Sequence, residues 1–158
     1  MNLSKSFKVI SNKIIKPSSP TPTHLCHYQL SFLDQIMPSV DISSICFYNK
    51  NDAYSKFSNE TAKSSVLKKS LSNVLKCYYP LTGRVKDNLI VDYNDEGVLY
   101  IEAQVKCQLS NIVADPNLVE FKKFLPCDID GAHHLAFTVQ VNYFTCGGIA
   151  IGDRKSVL

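Results

Sequence analysis

Between Leu135 and Phe144 the chain reads Leu-Ala-Phe-Thr-Val-Gln-Val-Asn-Tyr-Phe, ten residues with no charge, glycine or proline. β-Branched and aromatic side chains pack well on a pleated surface, so this run predicts a strand. Its near-continuous apolar character predicts a central strand, covered on at least one face. The remaining segments must therefore provide neighbouring strands and a covering layer.

They do so in a mixed order. Ile42 to Tyr48 reads as a strand bounded by Pro38 and the polar turn Asn49-Lys-Asn-Asp52. From about Asn59 to Lys76, Leu67, Leu71, Val74, Leu75 and Tyr78 recur at the spacing that puts apolar side chains on one helical face. Ser58 or Asn59 can cap that helix, Glu60 sits in its first turn, and Pro80 with Gly83 ends it. Beyond Arg84 the period falls to two: Leu89 and Val91 precede Asn94-Asp-Glu-Gly97, and Val98 to Ile101 follow, which predicts a β-hairpin. Leu118, Phe121, Phe124 and Leu125 predict a helix over 116–125, closed by Pro126. Leu30 to Gln35 reads as a turn or a short helix, and Pro17-Ser-Ser-Pro-Thr-Pro22 as a stiff connector.

The first segment has two readings. Lys5, Lys8, Lys13 and Lys16 recur among serines with no acidic residue before Asp34, and Leu3, Phe7, Ile10 and Ile14 would share a helical face, as in a targeting peptide. Transit peptides are arginine-rich, however, and the pairs Val9-Ile10 and Ile14-Ile15 favour a strand. With the strand reading the fold class is α/β, a mixed sheet with flanking helices, in one unit spanning residues 1–158 without repeats or an internal linker.

Composition narrows the function classes. A chain of 158 residues with 45% hydrophobic and 20% charged residues can pack one soluble core. Its net charge of +3 forms no basic stripe, so nucleic acid is not an expected partner. Its apolar runs fall far short of the ~20 residues of a membrane span, and no membrane partner is expected. The six cysteines lie apart without C-x-x-C pairs, and we read them as reduced cytosolic thiols that mostly fill core space. That reading carries a cytoplasmic location with it.

Most candidate chemistries fail on spacing. His24 and His27 flank Cys26, and His133 adjoins His134, but neither pair has a Cys or carboxylate at metal-site spacing, so no metal is expected. Gly147-x-x-x-x-Gly152 begins like a phosphate loop, yet Asp153 and Arg154 stand where Lys and Ser/Thr belong. No G-x-S-x-G elbow is present. Asp92, Asp95, Glu96, Asp128 and Asp130 sit in turn-like contexts where solvated acids are common.

Five landmarks remain. They are the proline-rich Pro17 to Leu25 segment, Leu30-Ser-Phe-Leu-Asp-Gln35, Tyr78-Tyr-Pro-Leu-Thr-Gly-Arg84, Asp95-Glu-Gly-Val98 with Glu102-Ala103, and Gln140 to Gly152 with its Cys146-Gly-Gly-Ile-Ala-Ile-Gly152 ending. In this order they resemble the BAHD family of plant acyl-CoA-dependent acyltransferases, in particular its alkaloid- and terpenoid-acetylating branch. In that family the Cys-Gly-Gly segment runs into Ser-His-x-x-x-Asp. Here Ser156 falls at the serine and Val157 at the histidine.

The resemblance implies part of the N-terminal domain of a chloramphenicol acetyltransferase-like two-domain fold, with residues 1–158 an incomplete first domain and the second domain absent. It implies a channel that admits acyl-CoA, a co-substrate rather than a bound cofactor, and a small alcohol or amine acceptor. The family histidine is the general base, a role suited to an imidazole because its pKa lies near neutrality. No metal, covalent acyl-enzyme or oligomer is implied. Carried over by residue, Ser31, Leu33 and Asp34 would stand at the acceptor end of the channel, with a purely structural role for Asp34 equally open. Gly147, Gly148 and Gly152 would be structural residues beside the catalytic turn, and Val157 leaves this chain without a catalytic residue. Two readings follow: an acyltransferase-family chain that is catalytically incomplete, or a truncated product that binds a small molecule or a full-length relative without catalysis.

Overall fold

The β-branched pairs near the start extend rather than coil, and they form the first edge of a sheet. The computed structural model describes residues 7–36, 40–50, 59–86, 90–126 and 135–157. In chain order its elements are β1 (Phe7–Ile15), β2 (His27–Gln29), α1 (Phe32–Ile36), β3 (Val40–Tyr48), α2 (Glu60–Cys77) and β4 (Arg84–Lys86). There follow β5 (Ile90–Asp92), β6 (Val98–Val105), α3 (Leu109–Ala114), α4 (Leu118–Phe121), β7 (Phe137–Phe144) and β8 (Ile149–Val157). The fold is mixed α/β, and the first segment is a strand as its composition predicts.

Five strands form the main sheet in the order β1-β6-β7-β8-β3, and three form a small one in the order β2-β5-β4. Within the large sheet β6 and β7 run parallel and every other pair is antiparallel. A parallel pair needs a crossover, and α3 and α4 lie within it. The Leu135–Phe144 run supplies β7, second neighbour to both edges, and seven of its eight residues are buried.

Each face of the sheet has its own cover. Val139, Val141 and Tyr143 of β7 pack with Tyr100 and Ile149 against Leu67 and Leu71 of α2. On the other face Phe144, Val105 and Ala150 meet Phe124, Leu109 and Ile112 from the crossover. Phe124 is fully buried, and it packs obliquely on Phe144 with ring centroids 5.6 Å apart. Burying a side chain of that size contributes about 1.5–3 kcal/mol.

Helix α2 begins as its sequence predicts, with the Asn59 side chain accepting from the Ala62 N–H at 2.8 Å; Ser58 lies outside the described residues. Its apolar stripe is narrower than the periodicity predicts. Leu75 is wholly buried, while Val74 and Tyr78 are exposed. The proline connector is tied down at this helix, where Ser18 N–H donates to Ser72 O and the Ser72 hydroxyl donates to Lys16 O.

Two local expectations are corrected. Residues 90–101 are not a hairpin, because β5 pairs with β2 and β4 whereas β6 pairs with β1 and β7. The turn between them carries Asp95 at φ 52, and its carboxylate accepts from both the N–H (2.7 Å) and the hydroxyl (2.6 Å) of Thr21. That long-range anchor swings the chain from one sheet to the other. The helix expected over 116–125 is shorter, with α4 tightening into a 3₁₀ turn at Lys122–Phe124. Finally, α3 and most of β8 carry no strong local signature and were not anticipated.

Candidate active site

Strand β8 delivers position 157. It pairs along its whole length with β3, from Ile149 against Tyr48 to Val157 against Val40, and with β7 from Ile149 to Lys155. Near its end the Ser156 hydroxyl donates to Asp41 Oδ1 at 2.5 Å, and its N–H donates to Ala136 O at 3.0 Å. Ser44 makes a further side-chain hydrogen bond to Asp153. These contacts hold the last strand residues in register on both sides.

Helix α1 precedes that same end. Leu30 is buried with Val91 and Tyr93, and it anchors the approach. The helix is closed by Gln35, whose N–H donates to Ser31 O at 3.1 Å and whose side chain donates to Leu30 O at 2.9 Å. Phe32, Leu33 and Ile36 are then left exposed, at 73%, 68% and 60%. Four Cα steps lead from Ile36 to Val40, the partner of Val157, a reach of at most ~14 Å. Helix α1 thus lies within chain reach of the strand end that carries position 157.

Gly147 and Gly148 belong to the other end. They form the turn between β7 and β8, where Gly147 adopts φ 83 and its carbonyl accepts from Lys63 Nζ at 3.1 Å. At ~3.3 Å per residue the nine steps from Gly148 to Val157 span roughly 30 Å. An extended strand and not a turn joins the two to position 157. Gly152 lies midway. A Cβ there would come within 2.2 Å of Phe124 O, so its role is to let the crossover lie on the sheet.

The described residues also hold a buried ionic cluster that motif reading did not assign. Glu102 of β6 is nearly buried beneath α2, and it accepts from Lys68 Nζ at 2.6 Å and from the Tyr143 hydroxyl at 3.1 Å. Lys68 also donates to Ser64 Oγ at 2.8 Å and lies 5.4 Å above the Tyr100 ring. Burial alone would raise the Glu102 carboxyl. Hydrogen bonds from Lys68 and Ser64, the Lys68 charge and the Tyr143 hydrogen bond outweigh it and hold the group below the ordinary carboxylate range. Burial, followed by Tyr100 and Glu102, pushes the Tyr143 phenol far up, so it acts as a donor. The available signal was a lone carboxylate inside the apolar strand Val98–Val105.

On the opposite face Gln140 and Asn142 grip the crossover. Gln140 Nε2 donates to Lys123 O and to Asn142 Oδ1, each at 2.8 Å, and Asn142 Nδ2 donates to Phe124 O at 3.0 Å and Ala150 O at 3.2 Å. Of the histidines, His27 Nδ1 lies 3.3 Å from Asp92 on the small sheet, remote in sequence from the landmarks of β8. His133 and His134 lie outside the described residues. No group of three metal-ligating side chains occurs among the described residues, and no described helix is long and apolar enough to cross a membrane.

A mixed α/β fold bears the five landmarks in chain order, two of them on the five-stranded sheet in β6, β7 and β8. Residues 5–154 match the family described as the Transferase family, and the chain belongs to it, the family of BAHD acyltransferases. Among its relatives, limonoid 21-O-acetyltransferase of Melia azedarach is 46% identical over 151 residues, which cover 93% of this chain and 34% of that protein. Vinorine synthase of Rauvolfia serpentina is 40% identical over 156 residues, covering 93% of this chain and 36% of the relative. The crystal structure of vinorine synthase superposes with a TM-score of 0.82 at 37% identity, over 95% of this chain and 38% of that one. The chain thus spans about a third of the length of the curated relatives it matches.

Proposed function

We propose that this chain is a scaffold and acceptor-side wall for acyl transfer from acyl-CoA to an alcohol or amine of a plant specialised metabolite, and that its Val157 makes it non-catalytic by itself. The observation that carries the reading is the unbroken β3–β8 register that ends at Val40 and Val157, just after the exposed α1 segment. In this reading Ser31 and Leu33 face the acceptor with Asp34 in support, and Gly147, Gly148 and Gly152 are structural. The named acetyltransferase activities of the relatives support the reaction class.

The reaction needs a base that removes the acceptor's proton as its oxygen or nitrogen attacks the thioester carbonyl and the CoA thiolate leaves. Valine has no lone pair to take that proton. The chain therefore binds its small-molecule partners as a monomer without turning them over. Free-thiol release from acetyl-CoA, followed with a panel of plant alcohols and amines, tests this. No release by this chain is expected, alongside release by a relative-length protein that carries histidine at position 157. Turnover by the Val157 chain would overturn the assignment of that position.

A further inference from the structure

Two thiols meet where β6 and β7 leave the sheet. The parallel register pairs Val105 with Phe144, and Cys107 and Cys146 each lie two residues beyond. The two chains stay together past that last pair. The Thr145 hydroxyl donates to Cys107 O at 2.9 Å, and the Leu109 N–H donates to Cys146 Sγ at 3.4 Å. Both cysteines enter one apolar cluster with Val105, Leu109 and Phe144, so their side chains lie on the same face. At their last pair the two strands are ~4.8 Å apart, inside the roughly 4.4–6.8 Å Cα separation that a disulfide spans, and the hydrogen bonds at Thr145 and Leu109 hold the chains together beyond it.

We propose that Cys107 and Cys146 form a reversible dithiol–disulfide site whose co-reactant is a low-molecular-weight disulfide of the glutathione type. Cys146 is half-buried and Cys107 is 5% exposed, so Cys146 reacts first. Its thiolate attacks one sulfur of the small disulfide; that S–S bond breaks, a mixed disulfide forms at Cys146, and one small thiolate leaves and takes a proton. Cys107 then gives its proton to water and attacks Cys146 Sγ, and the second small thiolate leaves. Two protein thiols lose two electrons in total, and one small disulfide becomes two thiols. Burial, and then the neighbouring Cys146, push the Cys107 thiol up, in keeping with its place as the second thiol to react.

The test is direct mapping on the full folded chain in a glutathione and glutathione-disulfide buffer, with alkylation, trypsin and mass spectrometry. The tryptic peptide that holds Cys146 also holds Cys127, so a Cys127→Ser chain is run beside the natural one, where fragmentation between the two cysteines resolves the linkage. The expected result is a Cys107–Cys146 linked peptide that vanishes on reduction and a higher urea midpoint for the oxidised chain. The exposed Cys46 and Cys77 are expected to stop at mixed disulfides with glutathione. A trivalent arsenical that bridges close dithiols is expected to add once, and to lose that adduct in Cys107→Ala and in Cys146→Ala. The proposal is overturned if Cys107 and Cys146 stay free or separately capped in a buffer that oxidises Cys46, or if the linkage appears only in urea.

Discussion

The two faces of β7 solve the same burial problem differently. Toward α2 the strand offers Val139, Val141 and Tyr143, and polarity enters through one ion pair, Lys68 with Glu102, joined by the Tyr143 hydroxyl. Toward the crossover it offers Gln140 and Asn142, both fully buried amides that bind main-chain carbonyls of Lys123, Phe124 and Ala150. The first arrangement joins side chain to side chain, so both partners can be replaced together. The second joins side chain to backbone, and the carbonyl left behind cannot be substituted.

The largest effect that separates the faces is expected at Gly152. Gly152→Ala puts a Cβ 2.2 Å from Phe124 O, and the clash is with backbone, so residues 122–126 must lift off the sheet with Phe124. A loss of about 3–5 kcal/mol is expected, read as a collapse of the urea midpoint. A midpoint like that of the natural chain would show that the crossover is not seated on this glycine. Asn142→Leu keeps the branched shape but strands two carbonyls, with an expected cost of about 3 kcal/mol that no second substitution on the sheet recovers.

The α2 face is expected to behave otherwise. Glu102→Leu alone leaves Lys68 and the Tyr143 hydroxyl facing an apolar side chain, for a loss of about 3 kcal/mol. Glu102→Leu with Lys68→Met is expected to recover most of it, and a double-mutant cycle measures the recovery. Acid sharpens the contrast. The folded-state pKa of Glu102 is depressed, so its contribution is complete above the ordinary value near 4.5 and is lost as pH falls through the folded value. The stability gap between the natural chain and Glu102→Gln is therefore expected to be widest above pH 4.5 and to narrow on acidification. A gap that widens toward low pH would reverse the assigned direction.

How far these elements were legible followed from how local their causes are. Strand β7 was readable from its unbroken run of strand-forming residues, strand β3 from the turn signals that bound it, helix α2 from its period, and the Asn59 cap because its partner lies three residues away. The false hairpin at 90–101 shows the limit: a period of two reports a strand but not its sheet, and Thr21, 74 residues from Asp95, makes that choice. Strand β8 was hidden in part by Gly152, whose reason is Phe124 in another element. At the candidate site, the landmark segments were visible, but the distance between Gly147 and position 157 was not. A conserved-looking string gives order along the chain, whereas the strand rise decides what lies beside what.

The smallest effects belong to the exposed end of β8, and they test whether position 157 is held by side chains or by the ladder. Ser156 is only partly buried, and its hydroxyl bond to Asp41 spans β8 and the edge strand β3, where water can replace either partner. Ser156→Ala is expected to cost about 0.5 kcal/mol or less, within the range of exposed polar pairs. The backbone pairs on both sides of Ser156 are untouched by that change, so amide exchange near residues 153–156 is expected to stay close to that of the natural chain. Strong local loss of protection in Ser156→Ala would mean that the serine side chain positions the strand end, and that the residue at 157 depends on Asp41 for its place.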